Sequence, residues 1–396
     1  MPEFPCADLV VVDGGHDHAT ALSDISKAMA ATPLVWCDDY YPGGGVKQAV
    51  DEVLHTNRNW SLEPVDLHNR DWKAVLLRKD LRKLLRIAVP SGIGDALWTL
   101  VKLPALLKRK GADAAVVDAE ETPLPRTKEF LEHFDFVARS GYTRWRLTEA
   151  DPDVLPDGTY NYAPSQPHWH GEFDWMLQAN GHLEQGGNLA DWLPDLEPDW
   201  NVARRFRFRP EELAAAERFV HEINRPFVLM FAASEQGNST FGHNRGPLWT
   251  PGEWAELCRF FIDAGVQPVF VGASWDRSYY TNHLRHLLPA GVQERINCWP
   301  IGTTFAVAKR SVGLVAYQSG LGIFSVYLGV PCAMWWRPDG DSIHPSRLIS
   351  FRETMAHSWA PPGAVASGRY LPMIYTRCSP GSIFAHACKH WLGGTQ

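Results

Sequence analysis

The chain has 396 residues, enough for two or three domains with sizeable cores, so a single small module is excluded. Its formal net charge of -7 provides no global basic field, which argues against a dedicated nucleic-acid coat or a membrane-surface protein. The seven cysteines are scattered, with no Cys-x-x-Cys, a usage that fits reduced thiols better than a disulfide framework or a zinc site.

Residues 7–79 alternate apolar runs with helical periodicity. ADLVVVDGG reads as a buried strand, HATALSDISKAMAA as a helix, TPLVWCDD as a second strand and GGVKQAVDEVLHT as a second helix. WSLEPVDL and WKAVLLRK close the block as a hairpin. This is alternating α/β material, and residues 1–80 are expected to form a partial α/β unit.

A second domain is expected over residues 81–215. LLRIAVP predicts a strand, DALWTLVKLPALLKRKG one helix stopped by Gly111, ADAAVVDAE another strand, and TKEFLEHF a short helix. Between residues 147 and 200 the texture changes, with eleven acidic residues, no Lys or Arg, and four tryptophans (Trp169, Trp175, Trp192, Trp200). A structureless loop that long does not fit inside a domain, so short helices and ordered turns over a cleft are expected; a solvated insertion with its own small core is the other reading. RRFRFRP then places Arg205, Arg207 and Arg209 on one strand face, either to meet phosphate or as a solvated edge.

The third domain is expected over residues 216–396. PFVLMFAAS is a strand, WTPGEWAELCRFFIDAG a helix with a Thr cap and an early Pro, and VQPVFVGAS a strand. YYTNHLRHLLP reads as helical, SVGLVAYQSG as a strand turning into the helix LGIFSVYLG, and VPCAMWW as the next strand. The whole is predicted as α/β, with two doubly wound units in succession.

Two strand-to-helix loops carry chemistry. In PSGIGD, Gly92 and Gly94 let backbone approach a ligand closely, and Asp95 sits where free amides leave a helix end. Asp95 reads as a general base at the carboxyl end of a strand, or as a plain helix cap. In AYQSGLG, Ser319, Gly320 and Gly322 lie at a second such turn, where amides hold a diphosphate or the glycines serve a tight turn. Neither loop is a G-x-G-x-x-G or a P-loop. Two of them in successive α/β units are expected to face each other across a cleft.

The ordered set PSGIGDALWTLVKLPALLKRKGAD, AASEQGNSTFGHNRGPLWTPGEWAELC, PVFVGASWDR and AYQSGLGIFSVYLGVPCAMWW resembles glycosyltransferase family 9, the ADP-heptose:lipopolysaccharide heptosyltransferases, over residues 84–336. The resemblance implies a GT-B fold, two Rossmann-like domains facing a cleft. It also implies an inverting, metal-independent transfer of a sugar from a nucleotide-sugar donor to an acceptor hydroxyl. The family's Ser-x-Gly-Asp loop falls on residues 91–95, with Ser91, Gly92 and Gly94 on the acceptor side and Asp95 as base. Its phosphate-contacting basic residue falls on Arg245 in NRGPLW, and its Gly-Gly-x-x-Glu stretch is matched loosely from Gly272 to Asp276. Where the family has Asp-Ser-Gly-x-x-His, this chain has Gln318, Ser319, Gly320, Leu321, Gly322 and Ile323, so the acid and the His are missing. A nucleotide-sugar site therefore carries over, and ADP-heptose as its occupant does not. The nucleotide sugar is a substrate, and no cofactor or metal is implied.

The first block resembles the second half of a class I S-adenosylmethionine-dependent methyltransferase, through DLVVVDGGHDHATALSDISKAM, PLVWCDDYYPGGGVKQAVDEVL and the hairpin. The glycine loop that holds the methionine cofactor belongs to the other half, so an accessory or truncated unit without methyl transfer is expected. Asp13, His16, Asp38 and Asp39 are either a metal remnant or solvated loop residues.

Trp169 and Trp175 are expected to shape the acceptor side, since tryptophan stacks on sugar faces as well as filling cores. The adjacent His168 and His170 read as surface loop before metal ligands. Residues 81–110 carry seven Lys or Arg against one Asp, a guide for an anionic acceptor or an exposed helix face. A glycan acceptor leads; DNA bearing hydroxymethylated bases is the alternative, favoured by these charges and by Arg205 to Arg209 and opposed by the acidic insert. A non-catalytic carbohydrate- or nucleotide-binding scaffold is the third reading. The N-terminus lacks a basic segment followed by a long apolar one, and no run reaches the roughly 18 apolar residues of a membrane span, so a cytoplasmic protein is expected.

Overall fold

The computed structural model describes residues 8–57, 60–65, 74–79, 82–120, 126–143, 174–177, 179, 182–183, 187–232, 249–336, 356–373 and 378–393. The chain divides into two compact units, one of residues 1–84 with 112–114 and one of residues 85–111 with 115–396.

The first unit holds β1 (Val10–Val12), α1 (His18–Ala31), β2 (Leu34–Cys37), α2 (Gly45–Thr56), β3 (Trp60–Val65) and β4 (Ala74–Lys79) in a sheet of order β1-β2-β4-β3. β1 and β2 are parallel, and the hairpin β3–β4 is antiparallel, with β4 against β2. Asp17 starts α1 by accepting the Thr20 amide at 3.0 Å. Ala21, Ile25 and Ala28 on α1, with Val46, Ala49, Val50 and Val53 on α2, recur at helical spacing and are buried with Val35, Cys37, Val75 and Leu77 of the sheet. Burial pushes the Cys37 thiol up to about 12.

The second unit contains two sheets. The first has the order β7-β6-β5-β8, from β5 (Leu84–Val89), β6 (Ala114–Glu120), β7 (Val137–Thr143) and β8 (Trp175–Met176). The second has the order β11-β10-β9-β12-β13-β14, from β9 (Phe227–Phe231), β10 (Gln267–Gly272), β11 (Gln293–Ile296), β12 (Gly313–Tyr317), β13 (Cys332–Trp335) and β14 (Tyr370–Met373). All five of its neighbouring pairs are parallel. Numbered from β9, this is the 3-2-1-4-5-6 order of a doubly wound fold, whose ligand crevice opens where the order reverses, outside the carboxyl ends of β9 and β12. The first sheet reverses in the same way between β5 and β8.

Helices cover these sheets. They are α3 (Ile93–Leu100), α4 (Leu103–Lys110), α5 (Thr127–Leu131), α6 (Pro210–Ile223), α7 (Pro251–Asp263), α8 (Ile301–Ala308), α9 (Gly320–Tyr327) and α10 (Pro380–Ala387). α7 begins as expected, with Thr250 and Glu253 in a reciprocal capping box and Pro251 at its first position.

Three expectations are corrected. The single helix predicted over DALWTLVKLPALLKRKG is two, α3 and α4, separated at Val101 and Lys102. Pro104 lacks an amide to continue the ladder, and it instead occupies the first turn of a new helix. Gly111, at φ 58, ends α4 as predicted. RRFRFRP is not a strand: Val202–Arg205 is a 3-10 turn, Phe206 makes an isolated bridge to Phe134, and Pro210 already starts α6. YYTNHLRHLLP is helical only through Leu284, as a wide π turn.

The sheets share an aromatic core. Phe130 and Phe134, near α5, meet Phe206, Phe305 of α8 and Phe324 of α9, with centroid separations of 4.9 Å for Phe130–Phe324 and Phe206–Phe324 and 4.6 Å for Phe305–Phe324. Of these, Phe130–Phe324 and Phe305–Phe324 are edge-to-face, and such pairs contribute about 0.5–1.5 kcal/mol each beyond the area they bury.

Candidate functional site

β5 delivers the chain to Ser91 and Gly92, and α3 begins at Ile93 with Gly92 as its N-cap. Asp95 is the third residue of the helix, where a carboxylate is favoured by the outward amides and the helix dipole. Its side chain folds back over the cap, so that a Cβ at Gly92 would lie 2.4 Å from Asp95 Oδ2. Gly92 is thus a glycine because the carboxylate occupies the space of a side chain. Asp95 is half-buried, and the Ser91 carbonyl is held by the hydroxyl of Thr127.

β12 delivers the second loop. Gln318 is exposed, and its amide bonds the Trp335 carbonyl at 2.8 Å. Ser319 caps α9 by accepting the Gly322 amide at 3.2 Å. By helix geometry this leaves the amides of Gly320 and Leu321, the first two of α9, with no intrahelical acceptor.

These two loops do not stand apart across an open space. A Cβ at Gly94 would meet Ile323 Cδ1 at 2.6 Å, and a Cβ at Gly320 would meet Ile93 Cβ at 2.5 Å. The first turns of α3 and α9 touch through backbone. The sequence predicts loops facing each other across a cleft; the helix starts that follow them instead meet at contact distance.

At the end of β10, Gly272 gives room to Asp276, whose Oδ2 accepts the Ala273 amide at 2.7 Å. Beyond β11, Asn297 accepts a bond from Arg126 at 3.1 Å, and Glu129 of α5 accepts the Ile301 amide at the start of α8 at 2.9 Å. These polar ties flank the aromatic core.

Other predicted residues land elsewhere. Trp175 pairs with Ile87 in the sheet and lies against the basic end of α4, with Lys110 Nζ 4.4 Å from its ring centroid. Arg205 and Arg207 both bond Asp135, at 2.8 and 2.9 Å, and Arg209 reaches Glu132 at 3.3 Å. In the first unit, His16 lies 2.9 Å from Asp39, which also accepts the Tyr41 hydroxyl. Among the described residues no three His, Cys, Asp or Glu side chains are grouped to hold a metal ion, and no helix is long and apolar enough to cross a membrane. Arg245, Trp169, His168 and His170 lie outside the described residues.

Lys102 went unforeseen. It is fully buried between α3 and α4, with its ammonium bonded to the carbonyls of Ala190 at 3.0 Å and Leu196 at 2.7 Å. Burial pulls its pKa down to about 8, against the pull of Glu197 and Asp191. Asp199 adds a backbone bond to the Val101 carbonyl, and Leu189 one to the Ser358 carbonyl. The strap of residues 187–200 is thereby seated on the α3–α4 joint, with Leu189, Trp192, Leu193 and Leu196 buried and Asp191, Asp195 and Glu197 exposed. One signal was legible: a lone Lys inside the apolar run LWTLVKLPALL.

His133 is the second such residue. Its Nε2 lies 2.9 Å from Glu212 Oε1, its Nδ1 2.8 Å from the Glu129 carbonyl, and Phe206 stacks on it at 4.4 Å. Both partners of this pair are buried.

No protein-family model matches the sequence, and no curated protein matches it. Solved structures do. The glycosyl transferase family 9 protein from Veillonella parvula superposes with a TM-score of 0.54 at 11% identity, over 78% of this chain and 98% of that one. E. coli ADP-heptose lps heptosyltransferase II superposes with a TM-score of 0.51 at 13% identity, over 79% of this chain and all of that one. At such identities the likeness establishes architecture, and with the two doubly wound sheets described above it shows that this chain has the GT-B fold.

Proposed function

We propose that the protein is an inverting glycosyltransferase that moves a sugar from a nucleotide-sugar donor to an acceptor hydroxyl without a metal ion. The observation that carries this is the meeting of the first turns of α3 and α9, the one carrying Asp95 and the other opening with the anion-favouring amides of Gly320 and Leu321. Asp95 takes the proton of the acceptor hydroxyl as that oxygen attacks the anomeric carbon. The bond from the anomeric carbon to the diphosphate breaks with its electron pair going to the leaving oxygen, and the amides at the start of α9, with Arg245, stabilise the charge that develops. Residues 81–215 form the acceptor half in this reading, and residues 216–396, with Gly272 and Gln318 to Gly322, the donor half. Residues 1–80 are an accessory unit similar to part of a methyltransferase, a reading supported by the antiparallel hairpin closing a parallel pair.

A DNA acceptor gains no support from Arg205, Arg207 and Arg209, whose charges are taken up by Asp135 and Glu132.

The test is a screen of nucleoside diphosphates and nucleotide sugars by melting temperature and hydrolysis, because a ligand of the native state raises Tm. One nucleotide is expected to stabilise the protein and its sugar ester to be slowly cleaved. Asp95→Asn is expected to keep that stabilisation while slowing turnover by about a hundred- to ten-thousandfold. Silence across the whole panel would refute the transferase.

A further inference from the structure

Along α6, Ala215, Arg218, Phe219 and Glu222 recur at the spacing that brings side chains into one stripe. Opposite them stands β11, the outermost strand of its sheet. Its Arg295 reaches the helix, with the guanidinium 5.4 Å from the ring centroid of Phe219 and bonded to the Glu222 carboxylate. Asn297, at φ 56, then turns the chain in the left-handed region that asparagine tolerates, and Trp299 meets Phe219 edge to face at 4.9 Å. Between helix, strand and loop lies a pocket of about 450 Å³. Small-molecule sites span roughly 300–1,000 Å³. Ala215, whose side chain stops at Cβ, leaves the hollow, and the exposed Cys298 lines it.

The loop that walls the pocket is held at both ends. Arg277 donates to the Ile296 carbonyl at 2.9 Å, Arg126 to Asn297 at 3.1 Å, and Glu129 accepts the Ile301 amide at 2.9 Å. Arg295 is neutralised by Glu222, whereas the exposed Arg218 makes no ion pair among the described residues. The lining therefore joins a corner of two aromatic rings to one uncompensated guanidinium. We propose that this pocket binds a small aromatic carboxylate, whose ring enters the corner of Phe219 and Trp299 and whose carboxylate pairs with Arg218. The guanidinium fork matches a carboxylate through two parallel N–H···O bonds, and the corner offers ring faces and edges to a third ring. With Arg218 and Arg295 against Glu222, the lining carries one net positive charge and suits a monoanion; a dianion would leave a charge unmet beside Glu222. None of these residues belongs to the loops assigned to donor and acceptor above, so the pocket is a second site.

The probes are benzoate, 1-naphthoate and indole-3-carboxylate, each beside its uncharged carboxamide. Titrations by saturation-transfer NMR measure affinity, and peptide mass spectrometry follows the rate at which iodoacetamide alkylates Cys298. At least one carboxylate is expected to bind, about ten- to a hundredfold tighter than its amide, as a hydrogen bond to a charged group implies. It is expected to slow alkylation of Cys298 and to leave that of the exposed Cys388 unchanged. Arg218→Gln, at an exposed position, is expected to bring the carboxylate down to the level of its amide with Tm unchanged. Ala215→Leu, which fills the hollow, is expected to weaken carboxylate and amide alike. Failure of all three carboxylates to bind, equal binding of carboxylate and amide, affinity unchanged in Arg218→Gln, or binding that leaves the Cys298 rate unchanged overturns the site.

Discussion

The Cα of Gly320 faces Ile93 so closely that a methyl group there would stand 2.5 Å from the isoleucine Cβ and 3.1 Å from the Gly94 amide. Neither is the end of a flexible chain. Gly320→Ala is expected to push α9 off α3, destabilising the fold by about 1–3 kcal/mol. Gly94→Ala meets only the mobile tip of Ile323, and should cost less. Urea melts of the two variants check the order; equal costs would mean the helices part without resistance.

The buried pair of His133 and Glu212 joins α6 to the chain after α5, and Glu212 also accepts the Arg209 amide at 2.9 Å. Glu212→Ala removes the partner of the His133 ring and of the Arg209 amide, and a loss of about 1–3 kcal/mol is expected. Denaturant midpoints at constant m-value measure it, and a loss under 1 kcal/mol would mean that water replaces the carboxylate.

Lys102 should give stability a slope with pH. Its folded value of about 8 lies below the ordinary 10.5, so between those limits the unfolded chain holds a proton that the folded chain has shed. Stability from this residue therefore rises with pH across that window and is least below it. Lys102→Met lacks this titration. The wild type is expected to gain on the variant from pH 8 to 10.5, in paired melts, and a constant difference would contradict the burial.

Phe206 touches Phe130, Phe134, Phe305 and Phe324. Phe206→Ala is expected to cost about 3–5 kcal/mol, as truncating a buried aromatic does. A loss of cooperativity in the melt, with two transitions replacing one, would reveal the halves unfolding separately.

Much of this architecture was legible because its strands are short apolar runs punctuated by glycine, proline and capping residues. Thr250 with Pro251 announced α7, and Gly111 closed α4. α8 was not legible: every residue of Ile301–Ala308 is buried, so IGTTFAVA has no polar face to betray a helical period. The break at Lys102 hid behind a continuous apolar pattern. At the site, the glycines at 92, 94 and 320 could be read as loops, but their reasons are a carboxylate three residues on and a helix more than 200 residues away. Composition carries no record of such contacts. For the same reason Lys102 looked like one more surface charge, since its acceptors lie 88 and 94 residues along the chain.

Lys102 grips the strap by the carbonyl oxygens of Ala190 and Leu196, atoms every amino acid possesses. The lock is therefore indifferent to the letters of its key. So long as Leu189, Trp192, Leu193 and Leu196 stay oily and Asp191 and Glu197 keep the charges that favour the ammonium, an outward position such as 195 is open to rewriting, and the surface it presents can be exchanged by mutation while its mooring stays the same.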